Sequence, residues 1–284
     1  VSIAAADLLL KGTSKMTRQE INDRIDALNA ELSLHGSGTE LSIAISTTKA
    51  NLDAVVALAL EVIHDATFPQ EPIDEYSSRL VTSLKSSMTE PTAIAQRMLA
   101  RHDNPWPKDD IRYSPTFEES IAAAESIKRD ALVAFQKKFY GAGQVSASVV
   151  GNFDPASFEK TLLKGLEGWS AGAPYARVPD PFRDVKPEQM QALTPDKANA
   201  FYIARLPIKL QDTDPDYPAL TLANFLLGTS ETSRLWNRVR EKEGLSYNVR
   251  SGLSASAFEP AASWTVYAIF APENRAKVEA AIKD

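Results

Sequence analysis

The 284-residue chain has no cysteine, which excludes disulfides, thiolate-bound zinc, iron–sulfur clusters and thiol nucleophiles. Histidine is scarce as well: His35, His64 and His102 are the only three. None has a second histidine four residues on, and none falls in an HExxH or HxxEH frame, the spacings that put two imidazoles and a glutamate on one helical face. A hydrolytic zinc site takes about three ligands on rigid elements plus a general base, so ordinary turn or helix-surface roles are expected for all three. No GxSxG elbow offers a serine nucleophile, and no GxxxxGK[ST] or GxGxxG loop offers a nucleotide cradle. Positive charge is in deficit, with 31 Lys and Arg against 37 Asp and Glu for a net charge of −6. Without a basic cluster, nucleic acid is not an expected partner. Nor does any apolar run approach the ~18 to 20 residues that cross a bilayer, so no membrane span is expected.

What is present suits a globular core, with 44% hydrophobic and 24% charged residues, enough for one large domain or two ordinary ones. An apolar stretch over 4–10 ends at Lys11-Gly12-Thr13-Ser14. Thr17 and Glu20 have capping-box spacing, and Ile21, Ile25, Leu28 and Leu32 continue a helical period from there. A turn at 35–38 leads to a strand alternating through Leu41, Ile43 and Ile45, then a helix over 51–63 and another from Pro72 to about Met88. The pattern loosens over 89–115, where Asn104-Pro105-Trp106-Pro107 is irregular because proline fixes φ and removes donors. Helices are expected over 121–140 and 155–166 and a strand over 144–150. Residues 171–187 hold four prolines and hardly any periodicity, which is linker composition. Beyond them a strand over 198–207, a helix over 217–227, a strand over 263–270 and a last helix from Pro272 are expected.

The two halves match. Ala6-Asp7-Leu8-Leu9-Leu10-Lys11-Gly12-Thr13-Ser14 parallels Ala223-Asn224-Phe225-Leu226-Leu227-Gly228-Thr229-Ser230. In both copies a second helix, a glycine turn, a strand and a further helix follow in the same order, which argues for duplication of one α+β unit. The expected organisation is a first repeat over 1–170, a Pro-rich linker over 171–188 and a second repeat over 189–284. The copies also differ at their ends, from which a longer polypeptide is expected on both sides.

The segment SRLWNRVREKEGLSYNV, residues 233–249, joins sharp local structure to usable chemistry. A short helix is expected from a Ser233 cap, and Gly244 ends it, since the residue just past a helix favours φ > 0. Leu245, Tyr247 and Val249 then alternate as a strand. Arg240 and Tyr247 bracket this helix-to-strand corner. One reading makes them a solvated helix charge and a half-buried strand aromatic; the other makes them a guanidinium and a phenol that reach one acceptor.

With repeat and corner together, the chain resembles the M16 (insulinase or pitrilysin-like) metallopeptidase family, and within it the non-catalytic halves or subunits. The resemblance implies two tandem LuxS/metallopeptidase-like α/β sandwich units, each a mixed or antiparallel sheet flanked by helices. In catalytic members the helix ahead of a KGT turn carries HxxEH, and a further glutamate ligand lies downstream. Here that turn is Leu10-Lys11-Gly12-Thr13, so the motif positions fall on Ile3, Ala6 and Asp7 and the downstream position near Ser83. These are degenerate: the resemblance implies no metal or other cofactor in this chain, with zinc in a catalytic partner.

The family's second signature, R-L-x-x-x-x-R-E-x-x-G-L-x-Y, is met by Arg234, Leu235, Arg240, Glu241, Gly244, Leu245 and Tyr247. The resemblance gives Arg240 and Tyr247 the task of holding a substrate carbonyl opposite the zinc. It implies a heterodimeric or fused peptidase in which an HxxEH-bearing subunit or N-terminal half supplies catalysis, this chain lines the chamber, and an unfolded peptide is the substrate. A bacterial periplasm is the implied setting, with the mitochondrial matrix as the alternative. A scaffold subunit of a larger assembly and a free-standing peptide-binding module are the competing functions.

Overall fold

Thr17 starts its helix as its spacing predicts. In the computed structural model, which describes residues 1–284, the Thr17 side chain accepts from the Glu20 backbone N–H, and the Glu20 carboxylate accepts from the Thr17 N–H at 2.8 Å. Two otherwise orphaned donors at the helix start are thereby satisfied. Thr17→Ala removes half of this box and is expected to lower stability by about 1 kcal/mol. The check is a urea titration: the midpoint should fall at unchanged slope, and an unmoved midpoint would mean the box contributes nothing net.

The elements run α1 (Ser2–Leu8), a 3₁₀ turn (Leu9–Lys11), α2 (Arg18–Ala27), β1 (Glu31–Gly36), β2 (Leu41–Ser46), α3 (Leu52–Asp65), α4 (Gln70–Ser87), α5 (Pro91–His102), α6 (Phe117–Glu125), α7 (Arg129–Phe139) and α8 (Pro155–Leu166). They continue as β3 (Ala200–Ile208), α9 (Tyr217–Asn224), two π-helical segments (Phe225–Thr229 and Trp236–Lys242), β4 (Ser246–Ala255), β5 (Ala262–Phe270), a 3₁₀ turn (Pro272–Asn274) and α10 (Arg275–Lys283). The class is α+β with small antiparallel sheets, and no helix is long and apolar enough to cross a membrane.

Residues 1–82 and 121–178 form one compact unit. Its core gathers Leu8 and Leu9, Ile21 of α2, Leu58, Val62 and Ile63 of α3, then Phe68, Ile73 and Leu132, all at most 1% exposed. Burying an aliphatic side chain of this size contributes about 1.5–3 kcal/mol, so α3, with seven buried residues on its apolar face, is the central element here. The hairpin β1–β2 pairs from Glu31↔Ser46 to Gly36↔Leu41.

Residues 83–120 and 179–284 form the second unit. Its antiparallel sheet has the order β3-β5-β4, and one face carries Val249, Val266, Ala268 and Phe270 against Leu235, Val239, Leu245, Val278 and Ala281. The expected division put 83–120 with the first repeat, whereas these residues group with 179–284. Polar ties join the two segments. Arg205 pairs with Asp103 at 3.1 Å, Arg183 Nε donates to the Asp103 carbonyl, and Arg112 stacks 3.4 Å from the Trp106 ring while donating to the Pro179 carbonyl at 2.6 Å. Lys197 reaches Glu90 at 2.8 Å. Arg112 also holds the Asp110 carboxyl down at about 2, chiefly by side-chain hydrogen bonding.

Several expected elements differ. The helix from Thr17 stops at Ala27, because Asn29 takes a left-handed φ of 45° and turns the chain, so Leu32 lies on β1. Residues 144–150 form no strand: their alternation finds no partner ladder, and Val150 is 97% exposed. Helix α5 occupies part of the loosened stretch, with Pro91 in its first turn where the missing N–H is not needed. The helix expected over 121–140 is broken at 126–128 into α6 and α7.

Candidate functional site

The segment 233–249 folds as a corner, though its helix is wider than its sequence suggests. Ser233 precedes the first helical residue, but its hydroxyl donates to the Ser230 carbonyl at 2.6 Å instead of capping the helix. The winding then becomes π over Trp236–Lys242. In an α-helix a residue five positions on is rotated by about 140°, whereas the i→i+5 π winding brings such residues together. Three pairs show it. Trp236 Nε1 donates to Glu241 Oε1 at 3.1 Å, Arg238 Nε donates to Glu243 Oε1 at 3.1 Å, and Asn237 Nδ2 donates to the Thr232 carbonyl at 3.0 Å.

Gly244 ends the segment at φ 62°, with its N–H donated to the Arg240 carbonyl and that of Leu245 to the Val239 carbonyl. The left-handed φ is what glycine supplies there. Strand β4 then opens on a bulge. Ser246 is opposite Phe270 and Asn248 is opposite Ile269, so Tyr247 has no cross-strand partner. An extra residue of this kind re-aims its side chain, and Tyr247 is 67% exposed. The bulge is pinned by Ser246, whose Oγ donates within reach of the Asn248 and Ile269 carbonyls at 2.8 and 2.7 Å.

Arg240 is also exposed. Its guanidinium carbon lies 4.2 Å from the centre of the Trp236 ring, with Arg250 of β4 at 4.1 Å from the same ring. Arg250 has Glu231 at 3.9 Å; Arg240 has no ion pair. The corner thus exposes a guanidinium, at Arg240, and a phenolic hydroxyl, at Tyr247, both hydrogen-bond donors.

The corner is held by contacts that the sequence reading missed. Asn224 Oδ1 accepts from Ser251 Oγ at 2.8 Å and from Trp264 Nε1 at 3.0 Å, tying the end of α9 to the sheet. Gly228, in the first π segment, approaches so closely that a Cβ would stand 2.3 Å from Ser251 Oγ and 2.7 Å from Ser251 N. Trp236 itself was legible as an aromatic four residues before Arg240, a spacing at which helical side chains meet.

The degenerate positions do not fit a metal. Ile3 is half exposed and Ala6 buried on α1, and neither side chain carries a donor atom. Asp7 offers a single carboxylate; the Tyr76 phenol is pushed up by burial first and then by the charge of Asp7. Ser83 is exposed on α4. No group of three or more His, Asp or Glu is placed to hold a metal ion. The histidines have structural contacts: His64 stacks on Trp169 with ring centres 4.2 Å apart, its pKa lowered by burial, and His102 lies 3.1 Å from both the Lys186 carbonyl and Glu188. His35 lies in β1.

The family described as peptidase M16 inactive domain matches residues 126–284, more than half of the chain and all of the corner. The chain belongs to the M16 peptidase family. A non-peptidase homologue, YmxG, from Helicobacter pylori is 22% identical over 257 residues, covering 89% of this chain and 57% of the relative. An uncharacterized zinc protease from Streptomyces coelicolor is 21% identical over 256 residues, covering 88% of this chain and 54% of the relative. The M16 chain thus spans little more than half the length of these curated relatives. Among solved structures, a peptidase M16 inactive domain from Pseudomonas fluorescens superposes with a TM-score of 0.79 at 19% identity, over 99% of this chain and 68% of that one. The periplasmic protease PqqL from Escherichia coli gives 0.67 at 16% identity, over 98% of this chain and 30% of the protease. These likenesses show a shared M16 fold.

Proposed function

We propose that this chain is the non-catalytic half of a zinc-dependent M16 endopeptidase. It lines the chamber and grips an unfolded peptide through Arg240 and Tyr247, while an HxxEH-bearing subunit, or an N-terminal half of the same polypeptide, carries the metal. The observation that bears most weight is the corner: both signature side chains are exposed beside Gly244, and Arg240 has no ion pair. Ile3, Ala6, Asp7 and Ser83 at the metal-motif positions support the same division of labour, because no three of them can act as ligands.

In this reading residues 1–170 and 189–284 derive from duplication of one α+β unit. Arg240 and Tyr247 donate to the scissile carbonyl as it acquires charge, an interaction that strengthens toward the transition state. No cofactor is held by this chain. The periplasm is its proposed compartment, in keeping with the description of PqqL as a periplasmic protease.

The test mixes purified chain with a catalytic M16 chain that carries HxxEH, using an unstructured fluorogenic peptide as substrate. Neither chain alone is expected to turn over at the rate of the mixture, and a chelator should abolish the mixed activity. Chelator-sensitive hydrolysis by this chain alone would overturn the proposal. A stable complex whose rate ignores the corner substitutions would favour a scaffold instead.

A further inference from the structure

We infer that Trp236 is the positioning residue for Arg240, an assignment that rests on the proposed role of Arg240 as a substrate contact. An exposed arginine has many rotamers, and freezing them on contact with a carbonyl weakens every hydrogen bond it then makes. A planar guanidinium laid on an indole face loses much of that freedom in advance. In this chain the stack is 4.2 Å from ring centre to guanidinium carbon.

The indole is itself immobilised. It is 6% exposed, its N–H is donated to Glu241 at 3.1 Å, and Arg250 from β4 lies 4.1 Å from its centre. The π winding makes this possible, because it brings Glu241, five residues on, to the indole N–H while Arg240, four residues on, stays over the ring. An α-helical turn would carry Glu241 about 140° away and release the indole edge. The widened turn therefore serves a purpose at this corner, as π segments often do at functional sites. Arg250 and Glu231 are 3.9 Å apart, so the second guanidinium has a counter-charge and the first is left for substrate.

Two measurements decide the matter. In the chain alone, the side-chain Nε–H resonance of Arg240 is expected to be displaced by the indole ring current. It should return to the ordinary arginine position in Trp236→Leu, be partly displaced in Trp236→Phe and be unaffected by Tyr247→Phe. An ordinary position in the unsubstituted protein would overturn the inference. In the paired peptidase, Trp236→Leu is expected to lower kcat about tenfold with KM little changed, and Trp236→Phe to restore most of the rate. On an Arg240→Ala background, Trp236→Leu should cause no further loss, since the two act as one unit. Equal losses on both backgrounds would make Trp236 a merely structural residue.

Because Trp236 is buried, Glu241→Leu is the companion variant at an exposed position; it frees the indole edge and should give a smaller loss in the same direction, with an unchanged rate and unchanged resonance counting against the inference. If Arg240→Ala leaves the rate untouched, the proposed function fails, and the resonance alone still decides whether Trp236 holds Arg240.

Discussion

Arg240→Ala is expected to lower kcat of the paired peptidase on the order of 10- to 1000-fold, with the unfolding midpoint of this chain almost unmoved. The two readouts separate because of where the side chain sits. Arg240 is exposed and its interaction is a stack on Trp236, worth about 0.5–1 kcal/mol at such a site. Surface changes of this kind usually stay near that size. Its effect on the reaction is larger, because a charged donor aimed at a developing oxyanion acts mainly in the transition state. Tyr247→Phe should lower kcat in the same direction by less, since it removes a neutral donor and keeps the ring. Its 67% exposure and its place on a bulge again imply little loss of stability. KM should change less than kcat for both variants, as expected when an interaction is made chiefly in the transition state. Wild-type rates in both would return Arg240 to a solvated charge and Tyr247 to a surface aromatic.

Gly228→Ala is expected to lose about 1–3 kcal/mol of stability, the usual range for overpacking, although alanine favours helix over glycine by roughly 1 kcal/mol. The added Cβ would stand 2.3 Å from Ser251 Oγ and, more decisively, 2.7 Å from the Ser251 backbone nitrogen. The hydroxyl could rotate away; the strand nitrogen cannot. Relief therefore means moving the π segment off the sheet, which stretches the bonds that Asn224 makes to Ser251 and Trp264. Gly252→Ala, one residue along β4, is the control: a Cβ there meets nothing within 4 Å, and stability should hold or rise by about 0.4–1 kcal/mol. Denaturant midpoints of the two variants make the comparison, and similar values would refute the close-approach account. Since the first π segment packs on the strand that carries Tyr247, Gly228→Ala should also reduce paired activity.

The corner was readable because its signals are local. A glycine beyond a helix, followed by alternating Leu245, Tyr247 and Val249, predicts a turn into a strand whatever surrounds it, and the strand begins at Ser246 with Gly244 at φ 62°. The Thr17–Glu20 box is another local signal, satisfied within four residues. Elements that depend on a distant partner were harder to read. The alternation over 144–150 has the period of a strand, but without a neighbouring ladder the backbone stays irregular. Leu32 kept the helical period and was nevertheless drawn into β1, where pairing with Ile45 and the left-handed Asn29 outweigh periodicity.

By itself, the amino-acid sequence determined that Ile3 and Ala6 bring no donor atom to the positions at which the family resemblance expects metal ligands, and that Arg240 and Tyr247 flank a glycine corner. Side-chain chemistry and short-range backbone preference settle both. Only the tertiary structure decided that the helix widens into π winding, that Trp236 lies beneath Arg240 and Arg250, and that residues 83–120 group with 179–284. Each of these depends on groups brought together from separate turns or strands, whose distances no sequence spacing encodes.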